Sequence, residues 1–180
     1  MHSSYIENNF GELFTTLVKL YKPTNILEFG CLEGYSTNAI LEGLKFNGKS
    51  FKFRAMDLFE DYPFHHASFS VLVQKFPEVD FIKADFYKSD HLIAQQTVDF
   101  MHIDISNTAV TFQVFMEKYF GKLKPGGVAV LEGGSRERDE IEWMNKYKKP
   151  KIKPYLQSLA GKYNFITFSP YPSITLFVKD

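Results

Sequence analysis

Short apolar segments alternate with segments of helical periodicity over most of this 180-residue chain. Such alternation predicts successive βα units, which form a parallel sheet with crossover helices on both faces. The predicted strands cover residues 25–30, 51–57, 80–84, 98–105 and 128–132, the last after a turn at 124–127. The predicted helices cover residues 5–21, 34–44, about 66–76, about 89–95 and 110–120.

The last fifty residues follow a different pattern. Predicted helices over residues 137–147 and 154–160 precede two predicted strands, 164–168 and 174–179. Only residues 169–172 join these strands, so we expect an antiparallel pair. The predicted fold class is therefore α/β: a Rossmann-like, doubly wound sheet of about seven strands, mostly parallel, with an antiparallel C-terminal hairpin.

The charges of the chain balance, with 21 Lys and Arg against 21 Asp and Glu. A balanced chain has no overall field that attracts nucleic acid or an acidic membrane. Cys31 is the single cysteine, which excludes an internal disulfide and a site built from several cysteines. Residues 1–10 lack the layout of a signal peptide, and no apolar run approaches the ~20 residues that span a bilayer. We therefore expect a cytoplasmic protein without a membrane partner.

Carboxylates mark the ends of four predicted strands. Asp57, Asp85, Asp104 and Glu132 each lie at or next to such an end. Ligands of an open doubly wound sheet bind outside the carboxyl ends of its strands. An acidic residue at nearly every such end indicates a polyhydroxylated or cationic ligand.

The loop after the first predicted strand carries the most specific pattern. Gly30 permits a sharp turn and a close ligand approach, and Gly34 lies where the next helix begins. Ser36 and Thr37 place hydroxyls near that helix N-terminus, where a carboxylate is favoured. The spacing is not G-x-G-x-x-G, so the pyrophosphate fingerprint is absent. Asp57 offers two oxygens to a vicinal diol, a feature that by itself also suits NAD.

The pattern E-h-G-x-x-x-G-Y-S-T that starts at Glu28 resembles motif I of the class I S-adenosylmethionine-dependent methyltransferases. The resemblance is strongest to the small-molecule, catechol-type O-methyltransferases. It extends over about residues 21–132 and includes the L-K-P-G-G sequence of residues 123–127. It implies one methyltransferase domain over residues 1–180, with an N-terminal helix (1–22), cofactor-binding βα units (23–132), and acceptor-side helices with the terminal hairpin (133–180).

The resemblance also implies which residues bind S-adenosylmethionine. The first loop holds the methionine part, the acidic end of the second strand accepts both ribose hydroxyls, and the third loop brackets the adenine. In that order these residues are Glu28, Gly30, Cys31, Gly34, Tyr35 and Ser36, then Asp57 with Leu58 beside the adenine, then Asp85 and Phe86.

The catalytic apparatus of the catechol-type relatives is not fully present. They hold a divalent ion with an Asp after the fourth strand and an Asp-Asn pair after the fifth, and they use a lysine as base. The matching positions here are Asp104, Glu132 with Gly133, and Asn107, so one oxygen ligand and the lysine are missing. A divalent metal remains possible, since Asp104 and Glu132 could bind Mg²⁺ with waters, but no metal site is predicted.

A hydroxyl acceptor must lose its proton during methyl transfer. Asp104 is the predicted catalytic residue, able to orient or deprotonate the acceptor. His102 is a second candidate because it lies two residues earlier on the same strand face; a hydrogen-bonded core histidine is the alternative. His65 and His66 are further candidates for the base.

The predicted reaction is methyl transfer to a small-molecule acceptor, a hydroxyl of a sugar or secondary metabolite. Residues 132–139 are expected near this acceptor, where Arg136 or Arg138 could hold an anionic group; a helix start capped by Ser135 is the alternative. The basic run 146–153 could steer a phosphorylated, nucleotide-linked or RNA acceptor; a solvated helix end and linker is the favoured alternative. The Lys-Asp-Lys-Glu tetrad of 2′-O-ribose RNA methyltransferases has no counterpart, so no nucleic-acid partner is expected.

Two other functions stay open. The chain could be a non-catalytic module that binds S-adenosylmethionine, because neither a base nor a complete metal set is evident. It could also be an NAD-dependent Rossmann oxidoreductase, against which the glycine spacing and the terminal hairpin argue. The sequence leaves the oligomeric state open and is compatible with a homodimer.

Overall fold

The computed structural model describes residues 3–59, 68–169 and 171–180, and seven strands form one sheet within them. The strands are β1 (Asn25–Phe29), β2 (Lys52–Asp57), β3 (Asp80–Lys83), β4 (Val98–Ile103), β5 (Leu123–Glu132), β6 (Asn164–Phe168) and β7 (Ile174–Val178). Their order is β3-β2-β1-β4-β5-β7-β6. The first five strands are parallel, and β7 is antiparallel to both β5 and β6. The predicted fold class is confirmed.

The α-helices of the described residues are α1 (Phe10–Tyr21), α2 (Tyr35–Asn47), α3 (Phe69–Lys75), α4 (Ala109–Val114), α5 (Arg136–Asp139), α6 (Glu142–Lys146) and α7 (Ile152–Leu159). Short 3₁₀ turns cover Ser4–Ile6, Asp90–Leu92 and Phe120–Lys122, and a π-helical segment, Phe115–Tyr119, continues α4. None of the helices described here is long and apolar enough to cross a membrane.

Three predicted helices differ from those in the structure. The helix predicted over residues 5–21 begins only at Phe10, because Asn9 takes a left-handed conformation with φ of 54°. The helix predicted over 137–147 is split into α5 and α6, because Ile141 is extended, with ψ of 153°. The helix predicted near 89–95 is a single 3₁₀ turn.

The predicted turn at residues 124–127 lies inside β5 instead of before it. Val98 pairs with Leu123 and Phe100 pairs with Val128, so β5 contains three more residues than β4 between the same two pairs. The extra residues bulge outward, and Lys179 bonds to them by accepting from the Gly126 N–H at 2.7 Å and donating to the Gly127 carbonyl at 3.0 Å. Because this glycine-rich turn pairs with Lys179, it forms part of β5.

Two apolar cores lie on opposite faces of the sheet, because side chains alternate along each strand. Ile26 and Phe100 face the core formed with α1, α2 and α3. Leu27 and Met101, the next residue in each strand, face the core formed with α4 and α7. The central strands are thus covered on both sides, and their carboxyl ends remain as the open edge.

Gly30 and Asp104 bring the ends of β1 and β4 together at the point where the strand order reverses. The Asp104 N–H donates to the Phe29 carbonyl at 2.8 Å. Gly30 has φ of 87°, and a Cβ on it would lie 1.8 Å from the carbonyl oxygen of Asp104. Only glycine fits this approach, and in doubly wound sheets this reversal is where a ligand binds.

Candidate active site

A cleft of about 590 Å³ opens at the carboxyl ends of the strands. Four of its lining residues are acidic and come from the ends of four different strands, namely Asp57, Asp85, Asp104 and Glu132. Among the described residues that line it, none is Lys, Arg or His. The cleft therefore suits a ligand that carries positive charge and hydroxyl groups.

Most of the predicted site residues line this cleft. Those that do are Gly30, Cys31, Tyr35, Ser36, Asp57, Leu58, Asp85, Phe86 and Asp104. Glu28, Gly34 and His102 are described residues that do not line it. Glu28 and His102 are fully buried, and Gly34 is the N-cap of α2.

Glu28 supports the cleft from behind. Its side chain is fully buried and accepts hydrogen bonds from the hydroxyls of Ser36 and Thr37, each at 2.6 Å. Its Oε1 also lies 3.1 Å from Nδ1 of His102, the residue opposite it in the register of β1 and β4. Glu28 thereby ties β1 and β4 to the first turn of α2.

Gly34 shapes the loop between β1 and α2. It is the N-cap of α2 with φ of 81°, and its N–H donates to the Cys31 carbonyl at 2.7 Å. A Cβ on Gly34 would lie 2.4 Å from the ring of Phe76. The loop therefore needs glycine here for both conformation and space.

Asp57 organises the same loop from the end of β2. Its Oδ2 accepts the N–H groups of Cys31 at 2.7 Å and Leu32 at 3.4 Å, and its Oδ1 accepts the N–H of Leu58 at 2.7 Å. A carboxylate has about four acceptor positions. The three N–H groups occupy most of these positions, so they fix the Asp57 carboxylate at the end of β2, on the lining of the cleft.

Phe86 forms a rigid apolar wall of the cleft. Its ring stacks on Tyr119 with centroids 4.6 Å apart and meets the ring of Phe29 edge-on at 5.1 Å. The Tyr119 hydroxyl donates to the Phe86 carbonyl, and Asp85 Oδ1 accepts the Tyr87 N–H at 2.9 Å. An aromatic ring held this firmly can pack against a flat heterocycle without losing side-chain entropy.

The two acidic residues on the β4–β5 side of the cleft are linked by an amide. Asn107 donates from Nδ2 to Asp104 Oδ1 at 3.1 Å and also to the carboxylate of Glu132. Arg138 Nε lies 3.4 Å from Glu132 Oε1. Burial, and next the charge of Asp104, raise the pKa of Glu132 well above its usual range, although Arg138 acts in the opposite direction.

This arrangement does not fit the metal site of the catechol-type relatives. Gly133 brings no side-chain oxygen to the position where those relatives have Asn, and Asn107 links the two remaining carboxylates through its amide. The part of the chain described here contains no cluster of three or more His, Cys, Asp and Glu side chains able to hold a metal ion. No step of the chemistry below uses a metal.

Tyr5 is a cleft residue that the sequence did not predict. The 3₁₀ turn Ser4–Ile6 carries it into the cleft, where its Oη lies 3.3 Å from Nε2 of His102. His102 itself is fully buried, as the core-histidine alternative expects. No local pattern could have indicated the pair, because 97 residues separate them. His65 and His66, the other candidates for the base, lie outside the described residues.

The basic residues predicted near the acceptor take different positions. Arg136 is exposed and pairs with Glu140 at 2.9 Å, whereas Arg138 is buried beside Glu132. Ser135 caps α5 by accepting the Arg138 N–H at 3.2 Å, which is the helix start given as the alternative. The lysines of the run 146–153 do not line the cleft.

Comparison with known proteins gives a consistent family. A family model described as a methyltransferase domain matches residues 27–132, more than half of the chain. A search of curated proteins finds no match.

Solved structures match over nearly the whole chain. SAH-bound PaMTH1, a methyltransferase of Podospora anserina, is 17% identical with a TM-score of 0.71, over 99% of this chain and 80% of that one. An O-methyltransferase from Bacillus cereus in complex with SAH is 19% identical with a TM-score of 0.69, over 99% and 84%. Cofactor-bound Rv0187 from MTB is 16% identical with a TM-score of 0.71, over 96% and 81%. The matched family model shows that the chain belongs to the methyltransferase domain family, and the strand order agrees with the fold of these solved methyltransferases.

Proposed function

We propose that this chain transfers the methyl group of S-adenosylmethionine to a hydroxyl group of a small molecule. The observation that carries the proposal is the cleft with one carboxylate from each of four strand ends and no described basic lining residue. S-adenosylmethionine has a sulfonium, an ammonium and a ribose diol, which all interact favourably with carboxylates.

The proposed binding mode assigns each part of the cofactor to a part of the cleft. Asp57 accepts the ribose hydroxyls, and Leu58 and Phe86 pack against the adenine. The methionine part lies along the loop after β1, where Gly30 allows a close approach to the backbone. The sulfonium is then directed toward Asp104, on the β4 side of the cleft. Glu28 contributes by holding Ser36 and not by touching the cofactor.

The chemistry requires mainly alignment, because the sulfonium is already an activated electrophile. The acceptor oxygen attacks the methyl carbon opposite to sulfur, and holding the two in line supplies most of the rate gain. An oxygen acceptor is favoured because the Bacillus cereus protein with this fold is named an O-methyltransferase. The acceptor binds on the β4–β5 side, beside Asp104 and the segment 133–180.

Calorimetry with three ligands tests the cofactor assignment. We expect S-adenosylmethionine and its product, S-adenosylhomocysteine, to bind, and NADH not to bind. A folded sample that binds neither adenosyl ligand would contradict the proposal, and one that binds only NADH would identify an oxidoreductase.

Transfer of a labelled methyl group to a panel of hydroxylated small molecules tests the reaction. Incorporation of label into a sugar, a phenol or another hydroxyl acceptor is expected. Tight binding of S-adenosylmethionine without incorporation into any member would instead indicate a non-catalytic binding module.

A further inference from the structure

A buried chain of hydrogen bonds runs from the cleft into the core through Tyr5, His102 and Glu28. Tyr5 Oη lies 3.3 Å from His102 Nε2, and His102 Nδ1 lies 3.1 Å from Glu28 Oε1. Tyr5 lines the cleft although only 1% of its surface is exposed, and His102 and Glu28 are fully buried behind it. These hydrogen bonds thus join a hydroxyl, an imidazole and a carboxylate in that order, which is the order that activates hydroxyl groups in many enzymes.

The hydrogen-bond partners of Glu28 set the direction of the protons in this chain. The hydroxyls of Ser36 and Thr37 donate to Oε1 and Oε2 respectively, so both carboxylate oxygens act as acceptors. His102 consequently donates its Nδ1–H to Glu28, and its Nε2 keeps a lone pair. This Nε2 lies 3.3 Å from Tyr5 Oη, and the Asp104 carboxylate is a second acceptor for the same hydroxyl.

The surroundings keep Tyr5 protonated at rest and hold its ring in place. Burial, followed by the charges of Asp104 and Glu132, a hydrogen bond to Asp104 and the charge of Glu28, raises the pKa of Tyr5 well above its usual value. Phe14 packs edge-on against the Tyr5 ring with centroids 5.1 Å apart. Tyr5 therefore does not act as a free phenolate. It can accept a proton only if it donates its own hydroxyl proton to another group.

We propose that Tyr5 is the catalytic residue that takes the proton of the acceptor hydroxyl, through a relay to His102. The proposal rests on the methyl transfer proposed above. The acceptor O–H proton moves to Tyr5 Oη while the Tyr5 proton moves to His102 Nε2. The acceptor oxygen bonds to the methyl carbon, and the carbon–sulfur bond breaks with its electron pair remaining on sulfur. The positive charge of the sulfonium is replaced by that of the imidazolium, which Glu28 stabilises.

This relay would supply a proton acceptor, which the catechol-type motifs of this sequence lack. Asn107 stands where the catechol-type relatives have their lysine, and the Asp104–Glu132 pair does not fit their metal. Asp104 accepts the Asn107 amide and is also a hydrogen-bond partner of the Tyr5 hydroxyl, and the relay assigns it the task of orienting Tyr5 and the acceptor. His102 and Glu28 are positioning residues, because they act only through Tyr5.

The test compares Tyr5→Phe with the wild type on two phenolic acceptors. Catechol keeps its hydroxyl protons in neutral buffer, whereas 4-nitrophenol is assayed at a pH where it is already ionised. With catechol we expect kcat to fall about 100-fold or more, the usual range for general acid–base catalysis. With the ionised acceptor the fall should be below about tenfold, since no proton has to move. The affinity for S-adenosylhomocysteine should stay unchanged, and Tyr21→Phe, which removes a hydroxyl remote from the cleft, is the matched control.

The outcomes separate this proposal from the function on which it rests. Equal losses on both acceptors, or no loss on either, would overturn the role of Tyr5, and the second result would favour Asp104 as the base. If the wild type binds the cofactor but methylates neither phenol, phenols are excluded as acceptors, and the protonation of His102 measured by NMR then decides the relay.

Nitrogen NMR of histidine-labelled wild type provides an independent readout that needs no acceptor. We expect His102 to be protonated on Nδ1, with an Nε2 signal that shifts in Tyr5→Phe. A His102 protonated on Nε2 instead would overturn the relay whatever the kinetics.

Discussion

Replacement of Asp57 by alanine removes a carboxylate with two separable tasks. In the structure it accepts the N–H groups of Cys31, Leu32 and Leu58 and so holds the loop after β1. In the proposed complex it also accepts the two ribose hydroxyls. The first task affects the free energy of unfolding without ligand, and the second affects only the cofactor affinity.

The magnitudes follow from these contacts. A hydrogen bond to a charged group contributes about 1.5–3 kcal/mol, and water takes over part of it in the variant. Losing the ribose contacts should therefore weaken S-adenosylhomocysteine binding by roughly 2–3 kcal/mol, about 30- to 150-fold in Kd. The loop N–H groups are only partly buried and can bond to water, so the loss of stability should stay near about 1 kcal/mol.

Calorimetry with S-adenosylhomocysteine and urea unfolding measure the two effects separately. Asp80→Ala is the matched control, because Asp80 is an exposed acidic residue at the opposite end of the sheet, at the start of β3. An affinity of Asp57→Ala within about threefold of the wild type, in a folded protein, would refute the assignment of Asp57 to the ribose.

Three further predictions concern backbone, charge and metal. Gly30→Ala should lower the free energy of unfolding by more than about 4 kcal/mol, because the new Cβ would clash with the Asp104 carbonyl. Gly126→Ala is the control, since Gly126 also has positive φ but a Cβ there would have no atom within 4 Å, and it should cost about 1 kcal/mol. Similar urea midpoints for the two variants would contradict the clash. Burial raises the pKa of Glu132 in the folded state. Glu132 therefore contributes its whole share of the free energy of unfolding below the unfolded-state pKa of about 4.3, and this share is lost as the pH rises toward the folded-state pKa. Glu132→Gln should therefore gain stability relative to the wild type above that pH, by at most about 1.4 kcal/mol per pH unit, and parallel stability curves would refute it. Because Gly133 leaves the Asp104–Glu132 pair one side-chain oxygen short of the catechol-type metal site, EDTA should not reduce methyl transfer, and a loss that Mg²⁺ restores would contradict this expectation.

The strands could be predicted closely because their signals are local. Residues 164–168 were predicted as a strand and form β6 with the same bounds, since an apolar run between turns is visible in sequence alone. Helix continuity was harder to predict. The break at Asn9 and the split at Ile141 depend on how the neighbouring segments pack, and propensity does not register that.

The cleft residues could be predicted because the carboxyl ends of parallel strands meet at one edge. Asp57, Asp85 and Asp104 follow from that rule together with the strand positions. The predicted role of Glu28 at the cofactor stays a prediction; alternation along β1 turns its side chain toward the α1–α2 side, where it meets His102.

The amino-acid sequence by itself determined the order of strands and helices and the glycine loop that turns toward a ligand, because periodicity and backbone freedom act within a few residues. Only the tertiary structure decided which side chains share the reacting side of the cleft. Tyr5 meets His102 across 97 residues, and Asn107 joins Glu132 across 25. Such contacts depend on sheet register, on the path of the N-terminal turn and on the packing of both cores, and no local pattern encodes these.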